Sequence, residues 1–425
     1  MKKALFLMIF ILSLSLLLTS CGSASAYGSA VARQEEAYTT MEETDLDVLS
    51  IEEVLGITPD GKNVIIRNSD QEIGIMSLKD QEVTGTIESP DYITNMRETL
   101  WSDDGSSFML GDSYRFPIEL QTMQSVNFDV YSLKQSEGVS VTDENFEKNI
   151  MNGGGMIYSP SWSVDKKSMI YSLVNQKGVN ICESDIKSGE KTVLYKDKDR
   201  SGYEQAVELK DGLLLCEHNG PEKGDNDIFL YDVKKDDEKS LKGIIDKDIT
   251  QGVWFEIKGW SKDRRTILIN KWVLGTCIEK CFIVTFNKSF GDYEVKTLEY
   301  QMRGQSGGLI VINDKIDNRI AYSDILSPDG RYLITCEDEV LETKEGPNQT
   351  TGGNEEKEFK TYSIMTFNRQ LILHDLVNNK EYVLNETDKP EPFGISMRNA
   401  EPLFMTESGM LMVLTNDGYK IYMLK

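Results

Sequence analysis

An acidic stretch at residues 197–208 has residue types that could bind a divalent cation. Oxygen-bearing side chains stand at its first, third, fifth and twelfth positions, and a glycine, Gly202, stands at its sixth. Calcium takes several oxygens from a loop that turns sharply, with a bidentate carboxylate closing the shell. The stretch therefore predicts a Ca²⁺ site with the ligands Asp197, Asp199, Ser201, the carbonyl of Tyr203, and Glu208.

This spacing resembles that of the EF-hand calcium loop, with two departures. The flanking segments lack helical periodicity, and Glu204 occupies the eighth position, where an aliphatic residue is usual. Acidic sequences also produce such matches by chance. The alternative interpretation is a solvated turn between two repeats of the chain.

A second candidate for chemistry is a pair of cysteines. Cys277 and Cys281 are expected to straddle a hairpin loop, where they could form a disulfide outside the cytoplasm. Zinc is less favoured, because no second Cys or His pair stands at finger spacing. The other cysteines beyond residue 21 lie in apolar runs and are expected to be small buried hydrophobes: Cys182, Cys216 and Cys336.

Composition excludes several classes of function. The chain has two histidines, His218 and His374, which is little material for histidine-based proton transfer or a multi-histidine metal centre. It has 46 basic and 70 acidic residues, a net charge of −24. Such a surface repels phosphate backbones, so no nucleic-acid partner is expected.

The N-terminal segment indicates the compartment. Lys2 and Lys3 precede an apolar run at residues 4–18, which is typical of a signal peptide and short for a membrane span. The run ends in Leu18-Thr-Ser-Cys21, which resembles the lipobox of bacterial lipoproteins. That resemblance implies lipidation of Cys21 and attachment to the extracytoplasmic face of the cell membrane through the lipid alone. An ordinary signal peptide that contains Cys21 is the alternative.

Three regions are expected. Residues 1–20 form the signal peptide. Residues 21–44 are rich in Ser, Ala, Gly, Thr and Glu and are expected to form a flexible tether. Residues 45–425 are expected to fold as one domain and to act as a monomer.

This domain contains five copies of one turn signature, in which Ser or Thr precedes Asp by two positions and Gly often follows, and two weaker copies at residues 208–212 and 405–409. Each copy comes before a run of strand-forming residues. Hydroxyl and carboxylate oxygens can accept backbone N–H bonds in a tight hairpin, and Gly takes positive φ. A structural role in turns is therefore expected for the aspartates of these copies: Asp60, Asp104, Asp165, Asp211, Asp263 and Asp329.

Seven units of four strands, with almost no helical periodicity, are the pattern of a β-propeller. The Ser-x-Asp-Gly turns resemble those of TolB-type propellers, which are related to WD repeats. The expected fold is all-β: a seven-bladed β-propeller of four-stranded antiparallel blades. The last repeat lacks an outer strand, and an unpaired edge would be a liability. Residues 45–51 are expected to pair with residues 419–424 and close the ring.

In TolB-like propellers, the long connections lie on the face opposite the Ser-x-Asp-Gly turns, and variable loops on one face are where function usually lies. Residues 337–362 are expected to form a solvated mobile loop on that face. The repeat position shared by Trp101, Trp162 and Trp260 is expected to pack between blades. Other aromatic residues would decorate the loop face or its rim, and some of them are expected to be core packing instead: Tyr114, Phe116, Tyr158, Trp254, Phe255, Trp272 and Phe393.

These features favour a binding module over an enzyme. Seven repeats account for residues 45–425, so no separate hydrolase domain of the prolyl oligopeptidase type is expected. The expected function is binding of an envelope protein or glycan by a lipid-anchored propeller. The alternative is a propeller-based enzyme, a glycosidase or polysaccharide lyase, that uses carboxylates in the central funnel.

Overall fold

The computed structural model describes the chain in separate ranges. They are residues 37–44, 53–67, 72–87, 100–102, 105, 107–111, 128–132, 135–140, 156–175, 178–197, 203–219, 226–241, 244, 253–273, 277–300, 302–303, 308–311, 319–345, 349–350, 358–386, 391–392, 401–415 and 418–425. The chain divides into two compact units, Met1–Tyr38 and Thr39–Lys425. Residues 1–36, which include the predicted signal peptide and Cys21, lie outside the described residues. In the described ranges, no helix is long and apolar enough to cross a membrane.

The described part of the second unit is built from antiparallel strands. Strand β1 (Met41–Glu43) comes first in the chain and belongs to the last sheet. Sheets 1 to 4 each contain four strands in chain order. Sheet 1 contains β2 (Glu53–Ile57), β3 (Asn63–Arg67), β4 (Ile73–Ser77) and β5 (Glu82–Ile87). Sheet 2 contains β6 (Leu100–Trp101), β7 (Ser107–Gly111), β8 (Phe128–Ser132) and β9 (Gln135–Ser140). Sheet 3 contains β10 (Met156–Trp162), β11 (Ser168–Asn175), β12 (Gly178–Asp185) and β13 (Lys191–Asp197). Sheet 4 contains β14 (Tyr203–Lys210), β15 (Leu213–Asn219), β16 (Asp227–Asp232) and β17 (Asp237–Ser240).

Sheets 5 and 6 are joined into one twelve-stranded sheet. Sheet 5 contains β18 (Val253–Trp260), β19 (Thr266–Val273), β20 (Cys277–Phe286) and β21 (Tyr293–Glu299). Four further strands are short: β22 (Met302–Arg303), β23 (Gly308–Val311), β26 (Gln349–Thr350) and β29 (Glu391–Pro392). Sheet 6 contains β24 (Arg319–Leu326), β25 (Tyr332–Glu345), β27 (Glu358–Asp375) and β28 (Lys380–Glu386). The pairing of Ile278 with Ala321 links β20 to β24.

Strands β25 and β27 extend beyond the rest of sheet 6 and form an arm, defined as residues 340–345 and 358–367. The two strands pair from Tyr332 and Asp375 out to Glu345 and Tyr362, whereas β24 pairs with β25 only as far as Glu339. Strands β23, β26 and β29 add to β27 along the arm. The prediction of a mobile loop over residues 337–362 is therefore wrong for the described part. Residues 341–345 are exposed, so their charges remain solvated within a strand.

Sheet 7 is completed by a strand from the other end of the chain. Its strands are β30 (Glu401–Met405), β31 (Met410–Thr415), β32 (Gly418–Leu424) and β1, in the order β30, β31, β32, β1. Met41 pairs with Leu424 and Glu43 with Tyr422. The outer edge of β32 is thus occupied by a strand within the predicted tether. Residues 45–51, predicted for this pairing, lie outside the described residues.

The position of this strand was mispredicted because its pattern is polar. Both glutamates of β1 are exposed and Met41 is half-buried. An outer strand faces solvent, so backbone bonds can hold it without an apolar face. The Thr39 and Thr40 amides donate to the Lys425 carbonyl at 2.8 and 3.0 Å, and the Thr44 amide donates to the Ile421 carbonyl at 2.9 Å.

The predicted turn chemistry is confirmed at the described turns. In sheet 5, the Ser261 hydroxyl donates to the Asp263 carboxylate at 2.7 Å and accepts from the Thr266 amide at 3.0 Å. Asp263 accepts from the Arg265 amide at 3.1 Å. The same hydroxyl–carboxylate bond occurs between Thr58 and Asp60, Ser163 and Asp165, and Ser327 and Asp329. The residue after the acid has positive φ, whether it is a glycine such as Gly330 or a side-chain residue such as Lys166 or Arg264.

The apolar core lies between neighbouring sheets. One cluster joins Val207 and Leu215 of sheet 4 to Ile257 and Val284 of sheet 5. Further clusters join sheets 3 and 4, sheets 5 and 6, and sheets 7 and 1. The predicted packing role of the shared repeat position is confirmed at Trp162, which is 2% exposed, and at Trp260, which packs against the cluster of sheets 4 and 5.

Candidate functional site

The structure removes Glu208 from the predicted calcium site. Its Oε2 accepts a hydrogen bond from the Val164 amide at 2.7 Å, and its Oε1 accepts one from the Gly212 amide at 2.9 Å. Glu208 therefore braces the turn of sheet 3 against that of sheet 4. At a strand rise of about 3.3 Å per residue, it lies roughly 16 Å along β14 from Tyr203. A twelve-residue loop cannot close around one ion when its last ligand is at the far end of a strand.

The other predicted ligands are divided between strand ends and residues that are not described. Asp197 ends β13 and Tyr203 begins β14, while Asp199 and Ser201 lie outside the described residues. Among the described side chains, no group of three or more His, Cys, Asp or Glu could hold a metal ion. The bonds of Glu208 also explain why it replaces the apolar residue that other repeats have at this position.

The predicted disulfide is not formed. Cys281 is a free, buried thiol whose Sγ donates to Asp324 Oδ2 at 3.2 Å. Cys277 and Cys281 lie in one strand, β20, rather than on two sides of a hairpin. Four residues of extended strand span about 13 Å, well beyond the Cα separation that a disulfide allows. Cys182, Cys216 and Cys336 are free and buried, which confirms their predicted role as small hydrophobes.

His374 belongs to a buried polar network within sheet 6. Its Nε2 lies 2.9 Å from Thr335 Oγ1 and 3.1 Å from Glu337 Oε1, and its Nδ1 lies 3.1 Å from Glu381 Oε1. Burial alone would lower the pKa of His374, but its bonds to the two carboxylates raise it. The bond from His374 lowers the pKa of Glu381 to about 2, and Arg319 adds to this effect. This network ties β25, β27 and β28 together.

One end of the fold, which we call the turn end, carries the described signature turns, and side chains of sheet 5 bridge several of them. Arg264 is 2% exposed, and its Nη1 donates to the carbonyls of Trp162 at 2.8 Å and Glu208 at 2.6 Å. Lys262 Nζ lies 2.6 Å from Glu407 Oε1 of sheet 7. Residues of one turn thus bind residues of three other sheets. Such reach requires these turns to converge near the buried Arg264 guanidinium.

The opposite end of sheet 5 carries a group that we call the tryptophan patch, defined as Trp254, Glu256 and Trp272. Trp254 on β18 is the cross-strand partner of Trp272 on β19. Their rings are stacked, with centroids 6.3 Å apart and planes 14° from parallel. Trp272 Nε1 donates to Glu256 Oε2 at 2.7 Å. All three side chains are half-buried.

Strand alternation explains which of the predicted aromatic residues are partly exposed to solvent. Trp254 and Glu256 share one face of β18, whereas Phe255 and Ile257 point the other way into the core. Phe255 is 1% exposed, so it is one of the aromatic residues that pack in the core rather than lie on the loop face. The side chains of Tyr114, Phe116, Tyr158 and Phe393 are not described. Sequence reasoning missed Glu256, although its position two residues after Trp254 placed it on the same face.

Below the patch, polar groups are buried between sheets 5 and 6. Asp324 Oδ1 accepts from Asn270 Nδ2 at 2.9 Å, and both side chains are fully enclosed. Burial raises the pKa of Asp324, and the charge of Lys258 opposes this shift. Buried polar side chains therefore join the two sheets at this level, and Trp272 of the tryptophan patch packs against the apolar cluster between them.

Comparisons with known proteins define the fold. No protein-family model matches the sequence, and no curated protein matches it. An oligogalacturonate lyase in complex with manganese is similar in structure at 11% identity, with 92% of this chain and 97% of that chain covered and a TM-score of 0.54. An oligogalacturonate lyase from Vibrio parahaemolyticus gives 12% identity, coverage of 92% and 99%, and a TM-score of 0.53. The β-propeller domain of Cps50 (Swd1) from Myceliophteria thermophila gives 10%, coverage of 92% and 100%, and 0.51.

At these identities the likeness concerns architecture alone. The described strands and these neighbours agree on an all-β fold with many four-stranded antiparallel sheets. The predicted β-propeller fold is thereby confirmed. Because propellers carry many unrelated activities, the function has to be argued from the residues of this chain.

Proposed function

We propose that this chain is a lipid-anchored, extracytoplasmic β-propeller of the TolB type that binds a protein or glycan of the cell envelope. The observation that carries this proposal is the difference between the two ends of the fold. The turns of the turn end are bridged by the buried Arg264, whereas the opposite end carries the arm and the half-buried tryptophan patch. Extra strands and accessible side chains at one end of a rigid scaffold are typical of a binding site.

The proposal includes a ring of seven blades, closed by β1. Its support is that each sheet contacts the next. Core clusters join sheets 3 to 4, 4 to 5, 5 to 6 and 7 to 1. The remaining contacts are between β5 and β9, β6 and β10, and β24 and β30. The Glu407 amide of sheet 7 also donates to the Pro59 carbonyl of sheet 1 at 3.4 Å.

The scaffold is stiffened by buried ion pairs. Lys271 Nζ lies 2.7 Å from Glu279 Oε2 on adjacent strands of sheet 5. Arg331 Nη2 lies 3.1 Å from Asp375 Oδ2 in sheet 6. These two carboxylates are fixed by basic partners, as a structural role requires.

The alternative is a propeller-based enzyme, a glycosidase or polysaccharide lyase, and the likeness to two oligogalacturonate lyases is its support. Purified protein without the first 21 residues separates the two. We expect saturable binding to immobilised envelope components by calorimetry and no release of reducing ends or unsaturated sugars from the same material. Catalytic turnover of any of these components would replace the binding proposal by the enzyme.

The lipid anchor gives a separate prediction. Changing Cys21 to Ser removes the thiol that would carry diacylglycerol, and the anchor with it. We expect the wild-type protein in the membrane fraction and in the detergent phase, and the variant in the aqueous phase. Changing Ser23 to Ala, two residues away, is the matched control and should leave partitioning unchanged. Membrane retention of the Cys21→Ser variant equal to wild type would contradict the proposal.

A further inference from the structure

The tryptophan patch has two features that the packing of sheet 5 does not require. Phe255, the neighbour of Trp254 on the other face of β18, is enclosed at 1% exposure. Trp254 and Trp272 instead keep part of their side chains in solvent, at the end of the strands away from the turn end. Their rings stack on each other with centroids 6.3 Å apart, and Trp272 also packs against the apolar cluster of sheets 5 and 6, so Trp272 backs Trp254 as an aromatic surface.

Glu256 holds this surface in a fixed orientation. Its Oε2 accepts the Trp272 indole N–H at 2.7 Å, which fixes the ring about its side-chain bonds. Within the part of the chain that the structure describes, Glu256 Oε1 receives no hydrogen bond. The Glu256 carboxylate therefore offers a hydrogen-bond acceptor beside the stacked rings.

We propose that Trp254, Trp272 and Glu256 form a stacking subsite for a pyranose of an uncharged glycan. This inference rests on the proposed binding function and names its ligand class. One face of a pyranose consists of C–H groups, which are apolar and slightly positive, and the face of an indole ring is negative. Hydroxyl groups at the edge of the sugar would then reach the free oxygen of Glu256. A few polar groups beside aromatic walls are the usual composition of a small-ligand site.

The charge of the protein argues against an acidic ligand. The net charge is −24, and Glu256 lies at the subsite itself. A uronate or phosphate-bearing polymer would be repelled on approach and would meet a carboxylate at the surface. Uncharged hexose or N-acetylhexosamine chains carry no such penalty. The subsite is therefore expected to prefer uncharged over acidic sugars of the same length.

The test measures binding of defined oligosaccharides to purified protein without the first 21 residues. Chitohexaose and maltohexaose serve as uncharged probes and hexagalacturonate as the acidic probe, with intrinsic tryptophan fluorescence and calorimetry as readouts. We expect at least one uncharged probe to bind and hexagalacturonate to bind at least tenfold more weakly. Trp254→Ala should weaken the uncharged probe at least tenfold. Glu256→Gln, which still accepts the Trp272 N–H but removes the charge, should reduce the preference for uncharged over acidic probes at least threefold.

Trp260→Phe is the matched control, because Trp260 lies on the same strand but packs against the core. It should leave the dissociation constant unchanged. If Trp254→Ala fails to fold, as judged by circular dichroism, Trp254→Tyr provides a smaller ring and should weaken binding about threefold. The subsite is refuted if no uncharged probe binds, if hexagalacturonate binds more tightly, or if probe binding survives both Trp254 variants. If the subsite is refuted but the proposed binding function is right, the protein should still bind other envelope components. Turnover of a probe would instead refute the proposed binding function.

Discussion

Replacing Arg369 with methionine is expected to lower the free energy of unfolding by about 3–5 kcal/mol, because it leaves the Asp338 carboxylate charged and buried. Arg369 Nε donates to Asp338 Oδ1 at 2.7 Å and Nη2 donates to Oδ2 at 3.0 Å. The side chains are 3% and 1% exposed. Burial alone would lower the pKa of Arg369, but its bonds to Asp338 raise it. Chemical denaturation followed by circular dichroism measures the loss.

The loss in the free energy of unfolding should exceed that of the ion pair alone, because Arg369 also contacts Tyr322. Its hydroxyl donates to Asp338 Oδ2 at 2.6 Å, and the Arg369 guanidinium lies 5.0 Å from its ring centroid. The double variant Asp338→Leu with Arg369→Met removes both charges and should be more stable than the single variant. Lys62→Met is the matched control, since the Lys62–Asp60 pair is exposed and should contribute at most about 1 kcal/mol. Equal losses for Arg369→Met and Lys62→Met would show that burial of the pair is unimportant.

Arg264→Gly is expected to cost about 2–4 kcal/mol, although glycine suits the backbone at this position better. Arg264 has a φ of 56°, where the corresponding turns of sheets 1 and 6 have Gly61 and Gly330. A glycine would relieve strain worth about 1 kcal/mol or more. The substitution also leaves the Trp162 and Glu208 carbonyls without the guanidinium that bonds to both, and it creates a cavity at the turn end.

The control for this prediction is Lys166→Gly in sheet 3. Lys166 has a φ of 62°, similar to that of Arg264, but its side chain is only half-buried. We expect Lys166→Gly to be neutral or to raise the free energy of unfolding by up to about 1 kcal/mol. The same denaturation experiment applies to both variants. If Arg264→Gly stabilises the protein as Lys166→Gly does, the turn end is not held by the guanidinium.

The turns were predictable from sequence because their chemistry is local. Ser261, Asp263 and Arg264 act within four residues of one another, so the hydroxyl, the carboxylate and the positive φ all follow from spacing. Apolar runs after each turn then predict strands, and repetition predicts the propeller. The long-range role of Arg264 could not be predicted, because Trp162 is about one hundred residues away and meets it only after the sheets assemble.

The errors share a physical cause, which is that strand register cannot be read from composition. Cys277 and Cys281 were expected on two sides of a hairpin turn, but both lie in strand β20. Glu208 matched a calcium ligand by spacing, but the strand carries it to the turn end. Strand β1 was overlooked because backbone bonds, rather than apolar side chains, hold it in place. The two tryptophans of the patch were predicted, but Phe255 was grouped with them. Side-chain alternation places Trp254 and Phe255 on opposite faces of β18, and the sequence does not show which face is buried.

The seam between β1 and β32 has a mechanical consequence for a protein held by its N-terminus. Under the proposed N-terminal anchor, tension would load sheet 7 through β1. This strand is held by the pairing of three residues, by backbone bonds to Lys425 and Ile421, and by ion pairs of Glu42 with Lys425 and of Glu43 with Lys420. Forced opening is governed by the rate at which the loaded element detaches. Pulling on such an anchor would therefore detach β1 and expose the edge of β32.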